Sequence, residues 1–379
     1  MSPDKAVFPD SHDYIGIAKN VVEGDGIILD EHHRATRPPL YPIFFAGHRI
    51  LFGDALLPIQ ITQALLGAVS ILLIFALTMM IFDDVTIAKI SAVITAIYPY
   101  FIYFTGLILY ETLFISLLLG MMLLLVYGIR RNKLWTVSLS GFICGLIALL
   151  HAGHLLFGLF IIPAIILYAR HYCNNFSIGK VIILFLLFTS IPLIPWTVRN
   201  YFIFGRFIPV STQGGYALAD SFAPDATGGT DISKVTKWLD EVKNLPEAEQ
   251  DVALRKRAID AIMADPLRAF LLSFNKLVYF YSPIPKAEGF NNVFYKLIGL
   301  ISTLPIFVFA VIGIWCMRRN LTAIILILTP IIYYTILHMV FIGSIVYRLP
   351  IEPYIIILAS YGGYYLFNKI MARDMLQVS

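Results

Sequence analysis

The side chains able to do chemistry in this chain are few and far apart: Asp10, Asp13, Arg37, Glu111, His151, His154, Arg199, Arg348 and Glu352, with His338 as an outlier. A carboxylate can take the proton of an acceptor hydroxyl. A guanidinium matches phosphate with paired N–H donors. Two histidines three apart, with acidic residues beside them, can hold a divalent metal. A proton-transfer site, a phosphate cradle and a metal site are therefore the chemistries on offer. Which of them can operate depends on the elements that bring such distant residues to one place.

Those elements are helices in a membrane. The 379 residues are 59% hydrophobic and 14% charged, with a mean hydropathy of +0.79, where a soluble domain carries about a quarter charged residues. The apolar content falls in continuous blocks without period-two alternation, the mark of helices of roughly 20 residues rather than barrel strands. The expected fold class is an all-α polytopic membrane protein. Nine spans are predicted at 55–82, 86–107, 112–128, 134–150, 155–169, 181–198, 293–316, 321–341 and 350–367. The short pair around His151–His154 reads equally as one bent or re-entrant element.

Loop charge orients them. Arg130, Arg131 and Lys133 share one loop, Arg170 and Lys180 flank another, Arg318 and Arg319 fill a third, and Lys369 and Arg373 follow the last span. Nine spans put all of these on one side, which the positive-inside rule makes cytoplasmic. Two polar segments then lie outside: a first loop at 1–53 and an insertion at 199–292, the latter a small domain or lid. Spans 54–198 and 293–379 form the membrane parts. This topology translocates the N-terminus without a preceding span, so a first helix is expected to be missing ahead of Met1. The sequon-like Asn175-Phe176-Ser177 and Asn320-Leu321-Thr322 fall on the cytoplasmic side.

The same orientation gathers the reactive side chains at the outer interface. The middles of the spans hold almost no ionisable residues, whereas ion-coupled transporters line a pathway with them. The net charge of +4 reflects no basic patch, so nucleic acid is not an expected partner. Cys144, Cys173 and Cys316 have neither metal-ligand spacing nor a disulfide framework.

In the first loop, Pro9-Asp10-Ser11 reads as a helix N-cap leading an amphipathic helix with Tyr14, Ile17 and Val21 on one face; on the plainest reading Asp10 only caps it. Gly24 and Gly26 end that helix. Arg37-Pro38-Pro39-Leu40-Tyr41-Pro42 predicts a rigid extended stretch, and 43–52 a second membrane-lying helix. Arg37 could simply pack this stretch. Arg199 reads either as a phosphate ligand or as a snorkelling anchor. Arg348, alone among basic residues in the short outer loops, breaks the charge rule, which favours function. Glu111 sits at a tight turn with no basic neighbour in sequence, costly for a carboxylate unless solvated or partnered.

The ordered set PDSHDY, Gly-Asp-Gly, RPPLYP, an amphipathic helix ending LFG, YET at 110–112, PWTVRNYFIFGRFIPVSTQGG at 195–215 and YRLPIEP at 347–353 resembles a known family. It is similar to polyprenyl-phosphate-sugar-dependent glycosyltransferases of the GT-C superfamily, family 39-like, which include protein O-mannosyltransferases and the lipid A aminoarabinose transferase. The resemblance implies that an acidic residue of the first outer loop is the catalytic base, which matches Asp10, with Asp13 the neighbouring alternative. It further implies Glu111 as a second active-site acid or metal ligand; the outer-rim Arg37, Arg199 and Arg348, by their match to phosphate, make with Tyr41 the candidate phosphate and donor-binding set. Relatives often carry an arginine near the position of His151, a departure that leaves one expected phosphate contact unassigned.

The expected function is thus an inverting glycosyltransferase of the inner or plasma membrane. Its partners are a polyprenyl monophosphate sugar, a lipid, glycan or protein acceptor hydroxyl at the extracytoplasmic face, and the bilayer itself. A divalent metal is carried as a candidate cofactor. The alternatives are a transporter or flippase, and a polymerase or ligase of lipid-linked glycans with a diphosphate donor.

Overall fold

The computed structural model describes residues 6–172, 178–229, 232–286 and 292–378. Cys173 and the Asn175-Phe176-Ser177 triplet lie outside the described residues, as does the Arg373 side chain. Among the described residues every regular element is helical.

The first loop holds α1 (Pro9–Glu23) and α2 (Leu40–Phe52). Then come α3 (Leu57–Phe82), α4 (Val85–Ile97), α5 (Pro99–Thr105), α6 (Glu111–Arg130) and α7 (Leu134–Leu150). A single 3₁₀ turn at Ala152–His154 leads to the short α8 (Phe157–Phe160), α9 (Ile162–Tyr172) and α10 (Ile178–Phe204). The insertion contributes α11 (Gly214–Phe222), α12 (Ile232–Val242), α13 (Glu247–Ala264) and α14 (Pro266–Phe280). The chain closes with α15 (Val293–Met317), α16 (Leu321–Val340), the one-turn α17 (Ile345–Arg348) and α18 (Glu352–Val378).

Among the described residues six helical stretches are long and apolar enough to cross a membrane, one of them the run Ala152–Tyr172 that joins the 3₁₀ turn, α8 and α9, and the α4–α5 pair makes a seventh if counted as one broken span. The chain is therefore a multi-pass membrane protein. The other two expected spans differ in kind: α7 has only 17 residues, and the C-terminal half of α18 turns polar at Asn368-Lys369. The segment expected as one span at 86–107 is bent by 54°. Pro99 lacks an N–H and drives Tyr98 into extended geometry (φ −70°, ψ 115°), so the helix stops and restarts there. The predicted proline-rich stretch is also shorter than expected. Pro39 caps α2, and Pro42 falls in its first turn, where backbone N–H groups have no intrahelical acceptor.

In lipid the helices gain little from hydrophobic contrast, so they associate through close backbone approach and hydroxyl bonds. A Cβ on Gly141 would lie 2.2 Å from the Phe185 carbonyl oxygen, and one on Gly145 would lie 2.1 Å from that of Thr189, so α7 and α10 touch backbone to backbone. Gly313 and Gly362 do the same for α15 and α18. Hydroxyls tie further pairs: Ser70 and Ser116 join α3 to α6 at 2.8 Å, and Ser140 donates to the Met121 carbonyl at 2.8 Å.

The insertion packs around Ala219, Ala223, Val235, Val242 and Leu254, with Phe222, Ala258 and Leu272 in a second cluster. It is docked rather than tethered. Lys276, fully buried, donates to the carbonyl of Val340 at the end of α16 (2.6 Å), and the Gly343 N–H donates to the Gly228 carbonyl (3.1 Å).

Candidate active site

Phe8 is the N-cap residue of α1, and its backbone N–H donates back to the Ser11 hydroxyl at 2.9 Å. Asp10 is therefore not the cap, and its carboxylate is available elsewhere. It points to Arg37, which donates through Nη2 to Asp10 Oδ1 (2.7 Å) and through Nε to Asp13 Oδ2 (2.8 Å). One guanidinium thus bridges two carboxylates. It is 15% exposed, while Asp10 is 53% and Asp13 31% exposed, so the two acids open to water and the arginine lies beneath them. Its central carbon sits 5.6 Å from the Tyr14 ring centre. Burial acts against its charge, but Tyr14, Asp10 and Asp13 outweigh that, and its pKa is raised.

Beneath this triad lies an aromatic floor. The Tyr14 ring meets Tyr41 edge-on at 5.0 Å and Tyr110 at 6.4 Å. Tyr110 contacts His151 at 5.6 Å, and His151 reaches Tyr347 at 6.3 Å. Tyr347 stacks on His338 at 4.8 Å. Burial pushes the hydroxyls of Tyr14 and Tyr347 well above their ordinary range; Asp10 and Glu111 add to this at both positions, and Arg37 opposes it. Tyr14 and Tyr347 are thus the physical link between the first loop, the Glu111 turn and the C-terminal helices. Asp220 of the insertion adds its charge at Tyr347.

Glu111 opens α6 and is 3% exposed, with Oε2 lacking a hydrogen-bond partner. His151 sits in extended geometry between α7 and the 3₁₀ turn, its Nδ1 also without a partner. Burial lowers its pKa to about 4, which keeps the ring neutral. His154 is directed elsewhere: Nδ1 lies 2.5 Å from the Tyr334 hydroxyl, inside the bundle. The two histidines of that turn do not face one site. Among the described residues no three His, Cys, Asp or Glu side chains come together as a metal-holding group.

The remaining candidates are structurally occupied. Tyr41 is 1% exposed and donates its hydroxyl to Gln63 Oε1 (2.9 Å). Arg199 lies 4.5 Å from the Trp196 ring centre, and donates to the carbonyls of Arg34 (2.8 Å) and Ile27 (3.0 Å). Arg348 is wholly buried and pairs through Nε with Glu352 Oε1 (2.5 Å). Its Nη1 holds the carbonyls of Phe280 (2.9 Å) and Ser282 (2.7 Å). Its Nη2 and Glu352 Oε2 have no hydrogen-bond partner.

Sequence reasoning missed Tyr14 and Tyr347 as members of the floor, and Glu247, which reaches the first loop from the insertion. Tyr14 sat in a predicted amphipathic face and Tyr347 in the quoted YRLPIEP, so both were visible as residues but not as partners. Glu247 had no local signal at all.

Residues 36–196 match the family model described as dolichyl-phosphate-mannose-protein mannosyltransferase. A search of curated proteins by sequence gives no match. Among solved structures, the archaeal oligosaccharyltransferase AglB from Archaeoglobus fulgidus, in complex with an inhibitory peptide and a dolichol-phosphate, superposes with a TM-score of 0.58 at 13% identity, over 97% of this chain and 47% of that one. The same enzyme tethered with an acceptor peptide containing the NVT sequon gives a TM-score of 0.60 at 12% identity, over 97% and 46%. ArnT from Cupriavidus metallidurans bound to undecaprenyl phosphate gives 0.46 at 11% identity, over 94% and 73%, a score too low to build on. The chain spans about half the length of the AglB chain it matches. The resemblance drawn from the sequence motifs, to the GT-C glycosyltransferases that use polyprenyl-phosphate sugars, is met by the family model and by the fold.

Proposed function

Starting from that fold and family match, we propose that the protein is an inverting glycosyltransferase. It moves a sugar from a polyprenyl monophosphate to an acceptor hydroxyl at the extracytoplasmic face of the inner or plasma membrane, through a nine-span topology with the basic loops inside. The observation that carries this reading is the Asp10–Arg37–Asp13 triad: a base exposed to water, joined to a cation that suits phosphate, on a loop that lies along the bundle.

Asp10 takes the proton of the acceptor hydroxyl. The acceptor oxygen attacks the anomeric carbon from the face opposite the phosphate, the C–O bond to phosphate breaks, and lipid phosphate leaves with the bonding pair. Arg37 bonds both acids and offsets one of their two negative charges. The donor is a phosphodiester, a monoanionic partner that competes for the guanidinium and, as the sugar leaves, becomes a dianionic lipid phosphate; its binding draws Arg37 from Asp10, leaving that carboxylate free as a base. Glu111 lies behind the floor as a second acid, and Asp13 remains the alternative base. Arg199, Arg348 and Tyr41 hold the framework rather than the donor, because their polar atoms are engaged with backbone or with each other's elements.

A diphosphate donor is the rival; the AglB structure that superposes on this chain holds a dolichol-phosphate, which favours the monophosphate. Mass spectrometry of lipid that co-purifies in native nanodiscs separates the two. A polyprenyl monophosphate, with or without one hexose-like mass, that is lost in Arg37→Gln supports the proposal. A polyprenyl diphosphate glycan replaces it with the rival, and bulk phospholipid alone rejects both.

A further inference from the structure

The first loop is fastened from two sides just before Arg37. On one side, Arg199 of α10 holds the carbonyls of Ile27 and Arg34. On the other, Glu247, the first residue of α13 and 8% exposed, accepts from the Arg34 N–H (2.6 Å), the Ala35 N–H (3.0 Å) and the Thr212 hydroxyl (2.5 Å). The Thr212 N–H returns a bond to the Ala35 carbonyl (3.0 Å). Ala35 itself is 2% exposed, packed with Leu149 and Trp196. Residue 35 is two positions before Arg37, so little freedom remains between this clamp and the guanidinium.

A buried carboxylate that accepts three hydrogen bonds is a demanding arrangement. Two of its donors are backbone N–H groups that would otherwise be orphaned on a non-helical loop. An ordinary surface glutamate at a helix N-terminus gains a favourable dipole without any of this. The carboxylate is placed 212 residues away from its backbone partners and comes from the insertion, not from the bundle.

We propose that Glu247 is a positioning residue for the transfer site: it fixes the 34–35 backbone so that Arg37 can reach Asp10 and Asp13 and, later, the donor phosphate. The insertion is then part of the active site's support and not a detachable cover. This rests on the reading of Arg37 as the phosphate-binding cation, so the test has one arm independent of it.

Hydrogen-exchange mass spectrometry of the full chain in nanodiscs reads the clamp directly. Glu247→Gln keeps the volume but replaces one acceptor oxygen with a donor, and exchange over residues 27–36 should rise about tenfold or more, since charged hydrogen bonds are among the stronger ones. Undecaprenyl monophosphate, titrated by native mass spectrometry, reads the consequence. Glu247→Gln and Arg37→Gln should each weaken it about tenfold, and the double variant should be no weaker than Arg37→Gln alone, because one residue acts through the other. Unchanged exchange at 27–36, or losses that multiply in the double variant, would overturn the proposal. Accelerated exchange with lipid binding untouched by Arg37→Gln upholds the clamp and rejects the donor reading. If Glu247→Gln does not fold, Thr212→Val removes one donor to the carboxylate, and a smaller rise at 27–36 is the same positive result.

Discussion

Replacing Asp10 with asparagine tests the mechanism with little change of shape. The asparagine Oδ1 can still accept from Arg37 Nη2, the bond that spans 2.7 Å in the native site, so the guanidinium stays near its place through Asp13. What is lost is the ability to take a proton. A general base contributes roughly 10²- to 10⁴-fold to rate, or about 3–5 kcal/mol of barrier. The change in donor affinity runs the other way and is small. Asp10 is more than half exposed, so its ion pair with Arg37 contributes only about 0.2–1 kcal/mol, and freeing that partner tightens phosphate binding by at most about fivefold. Single-turnover transfer from a polyprenyl monophosphate sugar in sealed vesicles separates the two quantities. Asp10→Asn should show full donor binding and a chemical step slowed at least about a hundredfold, while Asp13→Asn should stay within about tenfold. A chemical step in Asp10→Asn within tenfold of wild type would refute the assignment, and the reverse ranking of the two variants would move the base to Asp13.

Glu111→Gln should leave the thermal midpoint unchanged or higher, since a buried carboxyl with a partnerless oxygen is replaced by a neutral amide, yet lower transfer about tenfold or more if the acid serves the reaction. Arg348→Ala should destabilise by roughly 3–5 kcal/mol, because Glu352 becomes a lone buried carboxylate and two carbonyls lose their donor, whereas Arg348→Met with Glu352→Leu should cost far less; detergent melting curves give the comparison. Burial and the neighbouring Arg268 lower the pKa of Lys276 from 10.5 to about 7. Between those values the unfolded chain binds the extra proton, so attachment of α14 should strengthen as pH rises from 7 toward 10, by up to roughly 4 kcal/mol, and be flat below 7. Hydrogen exchange over 266–280 should show that slope in wild type and lose it in Lys276→Met.

Sequence and structure agree where the signal is local. Apolar blocks of span length became helices because lipid leaves the backbone no other solution. In the insertion a helical pattern through 246–263 and an amphipathic stretch at 267–281 are legible in the sequence, and they lie within a residue or two of α13 and α14. Disagreement came where proline acts on its neighbours. Pro99 broke a span that hydropathy read as continuous, and Pro39 and Pro42 began a helix where three prolines suggested an extended chain. The site shows the same division. Asp10, Asp13 and Arg37 were found as residue types, but the pairing of Arg37 with both acids spans 24 and 27 positions and has no periodic trace.

The arginines show why residue type alone assigns such a site poorly. In sequence Arg37, Arg199 and Arg348 were all candidate phosphate ligands on one rim, with Arg348 the favoured one. In the fold they differ in what each guanidinium already holds: Arg37 two carboxylates that open to water, Arg199 two loop carbonyls, and Arg348 a buried glutamate and two carbonyls. A phosphate can displace a half-exposed carboxylate at low cost, because the displaced acid regains water. Displacing the carbonyls that Arg199 holds would loosen the first loop, and entry beside the buried Glu352 would open the bundle. The motif PWTVRN ties elements together: Trp196 and Asn200 donate to the carbonyls of Val210 and Ile208, and Arg199 to the first loop. By tying the first loop to the start of the insertion, this motif helps fix where Arg37 stands in the proposed site.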